Sequence, residues 1–207
     1  MSTVNKAGLE DVVVSTSDIC FIDGREGRLI YRGYDVDDLA AQSTFEEVVY
    51  LLWFGALPSK KEYDTFYKTL NSTATRRLPP KLIALLRTLP KKTTPMEVLR
   101  TGVSALSAFD PDHDDQSREA EIRKAIRLTA QMPTLVAAWE RLRRGKAPVA
   151  PDPRLNLSAN FLYMMFGRKP SPLAVKTFDV ALILHADHEF NASTFAARVT
   201  AATLSDM

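Results

Sequence analysis

Residues 172–194 read PLAVKTFDVALILHADHEFNAST and join a long apolar run to a cluster of polar side chains. Between residues 173 and 184 only Lys176, Thr177 and Asp179 are polar. A helix that is apolar on most sides is typical of a protein interior, so we expect a buried helix over this run. Polar groups at the end of a buried helix must be hydrogen-bonded to one another or to something bound.

The polar cluster that follows the run contains two imidazoles, an amide and two carboxylates. His185, His188 and Asn191 have an i, i+3, i+6 spacing and would share a face if the helix continued, whereas Asp187 and Glu189 would point elsewhere. Such groups at the edge of a dry core suit the binding of a small polar anion and the movement of its protons.

Two other interpretations of the cluster are open. A buried pair of histidines with a carboxylate can be a satisfied structural network. His185 and His188 with Asp187 or Glu189 could also ligate zinc, but HADHE is not the HExxH pattern of zinc enzymes. The third histidine, His113, lies in an acidic loop where we expect it to be solvated. We therefore predict no metal site.

Helix-start signals precede several apolar segments nearer the N-terminus. Asp35 can cap a short helix, and STFEE at residues 43–47 resembles a capping box for a helix that halts at Gly55. Ser59 and Thr94, each next to a proline, begin two further helices. These signals predict a mainly α-helical protein.

Two later segments contain several prolines. A long helix near residues 117–145 includes Pro133, which predicts a kink or break near Gln131. KAPVAPDPRLN at 146–156 has three prolines and is typical of a linker.

The N-terminal part differs from the helical remainder. VVVSTSDICFID and RLIYRG are rich in β-branched and aromatic residues on either side of a glycine-containing turn, which predicts a β-hairpin joined by residues 23–27. We accordingly divide the chain into an N-terminal segment with this hairpin at residues 1–34 and a helical portion at 35–207. Cys20, the single cysteine, lies in the first predicted strand and is expected to be a buried, inert thiol.

Charge and composition favour a cytoplasmic protein with small-molecule chemistry. The 27 basic and 25 acidic residues leave a net charge of +2, which gives no reason to expect nucleic acid or an anionic membrane as the main partner. RRLPPK at 76–81 and ERLRRGK at 140–146 could contact phosphate, but we interpret them as solvated helix ends. No signal peptide is visible, and the apolar runs are far shorter than a membrane-spanning helix of roughly 20 residues.

Several segments together resemble the citrate synthase family. ILHADHEFNASTFAARVTAATLSDM at 183–207 is similar to the substrate-binding segment of bacterial and archaeal citrate synthases. Residues 8–40, 44–58, 95–112 and 150–167 resemble other family segments, in the family's order. The related 2-methylcitrate synthases share these segments.

The resemblance implies a fold and an activity. Citrate synthases condense acetyl-coenzyme A with oxaloacetate in a mainly α-helical homodimer of large and small domains, with acetyl-coenzyme A as a substrate and no permanently bound cofactor. One carboxylate removes a methyl proton, one histidine stabilises the resulting enol, and another histidine polarises the oxaloacetate carbonyl. His188 matches the oxaloacetate-binding histidine, and His185 and Asn191 match neighbouring positions that support it.

The resemblance also implies what this chain does not carry. The family's catalytic histidines and aspartate, its small domain and its coenzyme A-binding residues belong to segments that follow the stretch matched here. We therefore expect a large-domain helical bundle that is inactive alone and exposes apolar surface, which predicts self-association. The alternatives are a 2-methylcitrate synthase, a non-catalytic synthase-like binding or assembly subunit, and a subunit completed by another polypeptide.

Overall fold

A small antiparallel sheet leads into a set of helices in the computed structural model, which describes residues 16–203 and 205. The strands are β1 (Cys20–Asp23), β2 (Arg28–Tyr31) and β3 (Tyr34–Asp35), in the order β1-β2-β3. The helices are α1 (Val36–Gln42), α2 (Phe45–Phe54), α3 (Lys60–Leu70), α4 (Thr73–Arg76), α5 (Pro80–Thr88), α6 (Pro95–Ser107), α7 (Arg118–Arg143), α8 (Leu157–Phe166), α9 (Pro172–Leu184) and α10 (Ala192–Ala201). The predicted mainly α-helical class with a short N-terminal β-hairpin is confirmed.

The hairpin forms where the sequence predicts it. Cys20 pairs with Tyr31 and Asp23 pairs with Arg28, so residues 24–27 make the turn. Gly27 has a φ of 66°, a left-handed conformation that glycine adopts without strain. The sequence did not predict β3. Residues 12–15, at the start of the first predicted strand, lie outside the described part of the chain.

The predicted helix starts are also confirmed. Asp35 caps α1, and Thr44, Ser59 and Thr94 cap α2, α3 and α6, each in a capping box with the glutamate three residues later. α2 ends at Gly55, which has a left-handed conformation. Capping depends on neighbours within one turn, which is why a sequence alone locates these helix starts.

The largest apolar cluster lies between α5, α6 and α7. Gly102 on α6 permits the close packing, because a Cβ added there would lie 2.7 Å from Cδ2 of Leu135 on α7. The buried members of this cluster are Leu78, Leu82, Leu86, Val98, Leu106, Leu135, Ala138 and Trp139.

A second apolar cluster joins the hairpin to the helices. Tyr31 of β2 packs with Leu39 of α1, Leu51 of α2 and Ile183 of α9. Cys20 belongs to the same cluster. The hairpin and the end of α9 therefore share one interior although they are far apart in sequence.

Two features of charge and proline differ from the prediction. α7 runs without a break through Pro133, and buried residues on either side of it, which include Ala130 and Leu135, hold the helix. The kink predicted near Gln131 stays a prediction. Arg76, expected in a solvated helix end, is only 1% exposed. It ends the short helix α4, which the sequence did not predict, and its side chain packs against the 146–156 segment.

The proline-rich segment 146–156 is irregular, as predicted, but side chains hold it against the helices. Nη1 of Arg76 donates to the carbonyl oxygens of Asp152 at 3.1 Å and Leu155 at 2.8 Å. Oε1 of Glu46 accepts from the Leu157 amide at 2.8 Å. The buried side chains of Arg76 and Glu46 thus fix the entry to α8.

The expected burial of α9 is wrong for most of the helix. Only Asp179 and Ile183 are buried, and Leu173 is 78% exposed. α10 has no buried residue. An apolar pattern predicts which face of a helix can be buried. Burial also requires other residues to pack against that face, and the described residues do so for only part of α9. Within the described residues, no helix combines the length and the apolar character that crossing a membrane requires.

Candidate functional site

The polar cluster lies in the loop between α9 and α10, hereafter the 185–191 loop. His185 is the C-cap of α9, and Asn191 is the N-cap of α10. The helix does not continue through these residues, so the condition under which His185, His188 and Asn191 would share a face is not met. Glu189 adopts a left-handed conformation with φ of 53°, which a continuing α-helix excludes, and asparagine is a favoured N-cap.

The three predicted site residues have different surroundings. His185 is exposed, and its Nδ1 lies 2.7 Å from the carbonyl oxygen of Ala181. Oδ1 of Asn191 accepts from the Thr194 amide at 2.9 Å. The His188 ring is exposed and makes no hydrogen bond with another described residue. The supporting roles of His185 and Asn191 toward His188 remain predictions.

Asp187 and Glu189, which the i, i+3, i+6 spacing leaves off the shared face, anchor the loop. Oε1 of Glu189 accepts from the Ile22 amide of β1 at 2.8 Å, across 167 residues of sequence. The Glu189 amide in turn donates to Oδ2 of Asp187 at 3.3 Å. No local pattern could predict these contacts, because the partner strand is at the other end of the chain.

Tyr31 anchors the loop from beneath. Its hydroxyl lies 3.1 Å from the carbonyl oxygen of Ile183 and 3.2 Å from that of Asp187, and it accepts from the Asp187 amide at 3.3 Å. The side chain is fully buried. Burial raises the pKa of the Tyr31 phenol above its ordinary value of 10.0, so the hydroxyl remains a donor at neutral pH.

Cys20 lies under the same loop. Burial raises the pKa of its thiol to about 11, and the Asp187 and Glu189 carboxylates raise it as well, while a hydrogen bond with the Glu189 backbone lowers it. Because the thiolate is the reactive form, a raised pKa makes the thiol unreactive near neutral pH. The prediction that Cys20 is buried is confirmed.

The loop contains backbone strain and has a cation beside it. A non-glycine residue in the left-handed region costs about 1–3 kcal/mol, and such residues concentrate at binding sites and switches. In this loop that residue is Glu189, directly after His188. The Arg198 guanidinium of α10 lies 4.5 Å from the centre of the Phe190 ring, within cation–π range.

This arrangement favours the binding of a polar anion over the binding of a metal ion. Among the described residues, no group of three or more His, Cys, Asp or Glu side chains could hold a metal ion. The Glu189 carboxylate is occupied by the Ile22 amide, whereas the exposed imidazole of His188 can donate to an anionic oxygen.

Comparisons with known proteins agree on one family. The family model described as citrate synthase, C-terminal domain, matches residues 8–207. A citrate synthase from Haloferax volcanii is 49% identical over 100% of this chain and 55% of its own length. A 2-methylcitrate synthase from Mycobacterium tuberculosis is 46% identical over 98% of this chain and 50% of its own length.

Solved structures show the same relationship. The citrate synthase from Pyrobaculum aerophilum superposes with a TM-score of 0.90 at 44% identity, over 96% of this chain and 51% of that one. A ternary complex of carboxymethyl coenzyme A and oxaloacetate with the citrate synthase from Thermoplasma acidophilum has a TM-score of 0.88 at 30% identity, over 95% of this chain and 51% of that one. This chain therefore belongs to the citrate synthase family and spans about half the length of the curated relatives that it matches.

Proposed function

We propose that this chain supplies the oxaloacetate-binding part of a cytoplasmic citrate synthase, which condenses acetyl-coenzyme A with oxaloacetate to give citrate and coenzyme A. The observation that carries the proposal is the exposed His188 ring, unpartnered among the described residues, in a loop anchored to the hairpin. Family membership supplies the reaction class.

The role of His188 follows from the charge of the substrate. Oxaloacetate carries two carboxylates beside a ketone, and a ring N–H that donates to a charged oxygen makes a stronger hydrogen bond than a neutral pair. In the condensation, the acetyl methyl carbon loses a proton and bonds to the ketone carbon, and water then cleaves the thioester to release the coenzyme A thiol. His188 holds the acceptor substrate for this step.

Turnover by this chain alone is not part of the proposal. The chain spans about half the length of its curated relatives. We propose that it binds oxaloacetate and that condensation requires further groups, which remove the methyl proton and stabilise the enol.

The second candidate is a 2-methylcitrate synthase, in which propionyl-coenzyme A replaces acetyl-coenzyme A. The observation in its favour is the 46% identity to the Mycobacterium tuberculosis protein of that name, which is close to the 49% identity to the Haloferax volcanii citrate synthase. The acceptor is oxaloacetate in both reactions, so the role of His188 is the same.

A third candidate is an assembly subunit without catalysis. The exposed apolar side chains of α9 and α10, such as Leu173 and Val199, support it and also support a homodimer. This candidate predicts association without oxaloacetate binding.

The test of the site is His188→Ala in the 207-residue chain, with oxaloacetate affinity measured by calorimetry. A hydrogen bond to a charged group contributes about 1.5–3 kcal/mol, so the dissociation constant should rise roughly tenfold or more. His113→Ala is the matched control, because His113 is also exposed and pairs with Asp114 away from the loop. Equal affinities of the two variants would contradict the assignment of His188.

The test of the reaction is release of coenzyme A thiol from acetyl- or propionyl-coenzyme A with oxaloacetate, on a sample of confirmed mass. We expect no release by the chain alone. Release that depends on both substrates would contradict that expectation and would identify the acyl donor. A chain that binds no oxaloacetate would favour the assembly subunit.

A further inference from the structure

The 185–191 loop is attached to the hairpin from two sides by side chains with no role in the proposed chemistry. Glu189 reaches outward to the backbone of β1, and Tyr31 reaches up from β2 to the loop backbone. His188 lies between Asp187, held by Tyr31, and Glu189, held by β1. Both residues next to the exposed imidazole are therefore fixed by the sheet.

Glu189 combines its anchor with an unfavourable backbone conformation. Its φ of 53° is one that side chains rarely adopt, and among the described non-glycine residues only Arg32 shares a positive φ. The Ile22 amide on its carboxylate and the Asp187 carboxylate on its amide hold it there. A strained residue persists only where its surroundings enforce the strain, and here the strain determines the direction of the chain leaving His188.

Tyr31 makes the hairpin part of the loop's interior. It is fully buried in the cluster that also contains Ile183 and Cys20, and its hydroxyl meets the last turn of α9 as well as the loop. Its register in the sheet is fixed by pairing with Cys20 on one side and Tyr34 on the other. Tyr31 thereby connects the position of the loop to the sheet and to the core.

We propose that Tyr31 and Glu189 are positioning residues that fix the His188 ring for oxaloacetate, so that the N-terminal hairpin belongs to the substrate site. The identity of the ligand in this inference rests on the proposed function, whereas the contacts that position His188 do not depend on it. In this proposal each residue acts through the backbone on either side of His188.

Cys20 provides a probe of the loop. It is the single cysteine of the chain and is buried beside Asp187 and Glu189. We expect its thiol to become accessible when the loop lifts. Labelling of this thiol by Ellman's reagent under native conditions measures the open fraction. The three histidine ring signals in an NMR spectrum report the site directly, with His113 as the internal reference and His188→Ala for assignment.

The variants are Tyr31→Phe, Glu189→Ala and Glu189→Gln, with Tyr34→Phe and Glu26→Ala as matched controls on exposed positions of the hairpin. Tyr31→Phe and Glu189→Ala should raise the labelling rate of Cys20 about threefold to tenfold and shift the His188 signal, because each removes a hydrogen bond that keeps the loop closed. Glu189→Gln retains an oxygen that accepts from the Ile22 amide, so it should restore both readouts. The two controls should behave as the unsubstituted chain.

The positioning role would be overturned by either of two results. One is unchanged labelling in both Tyr31→Phe and Glu189→Ala. The other is faster labelling with the His188 signal unmoved, since the anchors would then hold the loop without setting the ring. Failure of oxaloacetate to bind the unsubstituted chain, with the His188 signal responding to both variants, would instead overturn the proposed function and leave the positioning of His188 supported.

Discussion

The layer formed by α5, α6 and α7 and the segment formed by α9, the 185–191 loop and α10 are both rich in apolar residues. In the first, the apolar side chains meet one another, and Leu86 is completely buried. In the second, Leu173 is 78% exposed and α10 buries nothing within the described residues. The difference teaches that composition determines which faces can be buried, whereas burial itself depends on what lies opposite.

The largest expected effect contrasts one leucine from each region. Leu86→Ala should lower the free energy of unfolding by about 2–5 kcal/mol, because it removes buried methyl groups and leaves a cavity. Leu173→Ala should change it by about 0.5 kcal/mol or less, as for most exposed positions. Urea unfolding of both variants measures the contrast.

The same pair of variants sharpens the comparison when protein concentration is varied. If Leu173→Ala lowered the free energy of unfolding only at high protein concentration, α9 would be covered by a second copy of the chain. If Leu173→Ala lowered the free energy of unfolding as much as Leu86→Ala at every concentration, the contrast between the two regions would be wrong, because α9 would then be buried in the monomer.

A smaller effect concerns a buried acid in the covered part of the fold. Burial raises the pKa of Glu46 above its ordinary 4.5, although Leu157 and Arg76 act in the opposite direction and Asp179 adds to the increase. Its contribution to stability is thus present below 4.5 and is lost as pH rises toward the folded pKa. Glu46→Gln should therefore lessen the loss of stability that occurs as pH rises above 4.5.

Glu62 gives the opposite case on an exposed surface. Hydrogen bonds from Ser59 lower its pKa, so its contribution is present above the unfolded pKa and is lost as pH falls. The slope of the free energy of unfolding against pH should change in opposite directions in Glu46→Gln and Glu62→Gln. Changes of the same sign would contradict the inference that ionisation of Glu46 destabilises the folded protein.

The smallest effect compares two helix caps. Thr94→Ala removes the capping box of α6 and should cost about 1 kcal/mol of global stability, because α6 contributes to the main core. Asn191→Ala removes the cap of α10, which buries nothing, so its effect should be confined to faster amide exchange within α10. A global loss from Asn191→Ala similar to that from Thr94→Ala would show that α10 is packed.

The accuracy of the sequence predictions follows the distance over which each interaction acts. The cap at Asp35, the capping box in STFEE and the helix starts at Ser59 and Thr94 are confirmed, because helix starts are decided within about four residues. The burial of Arg76 was missed because its partners, the carbonyl groups of residues 152 and 155, are far along the chain.

The candidate site divides in the same way. The role of His188 is predicted from a contiguous motif and stays a prediction. The face that it would share with His185 and Asn191 requires a continuing helix, and Glu189 turns the chain instead. Tyr31 could not be connected to the site by any pattern, because its bond to Ile183 spans 152 residues.

That span also has a consequence during protein synthesis. A ribosome that adds about 5–20 residues per second needs roughly 8–30 s to proceed from Tyr31 to the residues that cover it. Throughout that interval the nascent hairpin has no loop to close over it, and the Cys20 thiol faces solvent or a chaperone. Vulnerability to oxidants should therefore be greatest on the ribosome and should end when the 185–191 loop has emerged and closed over the hairpin.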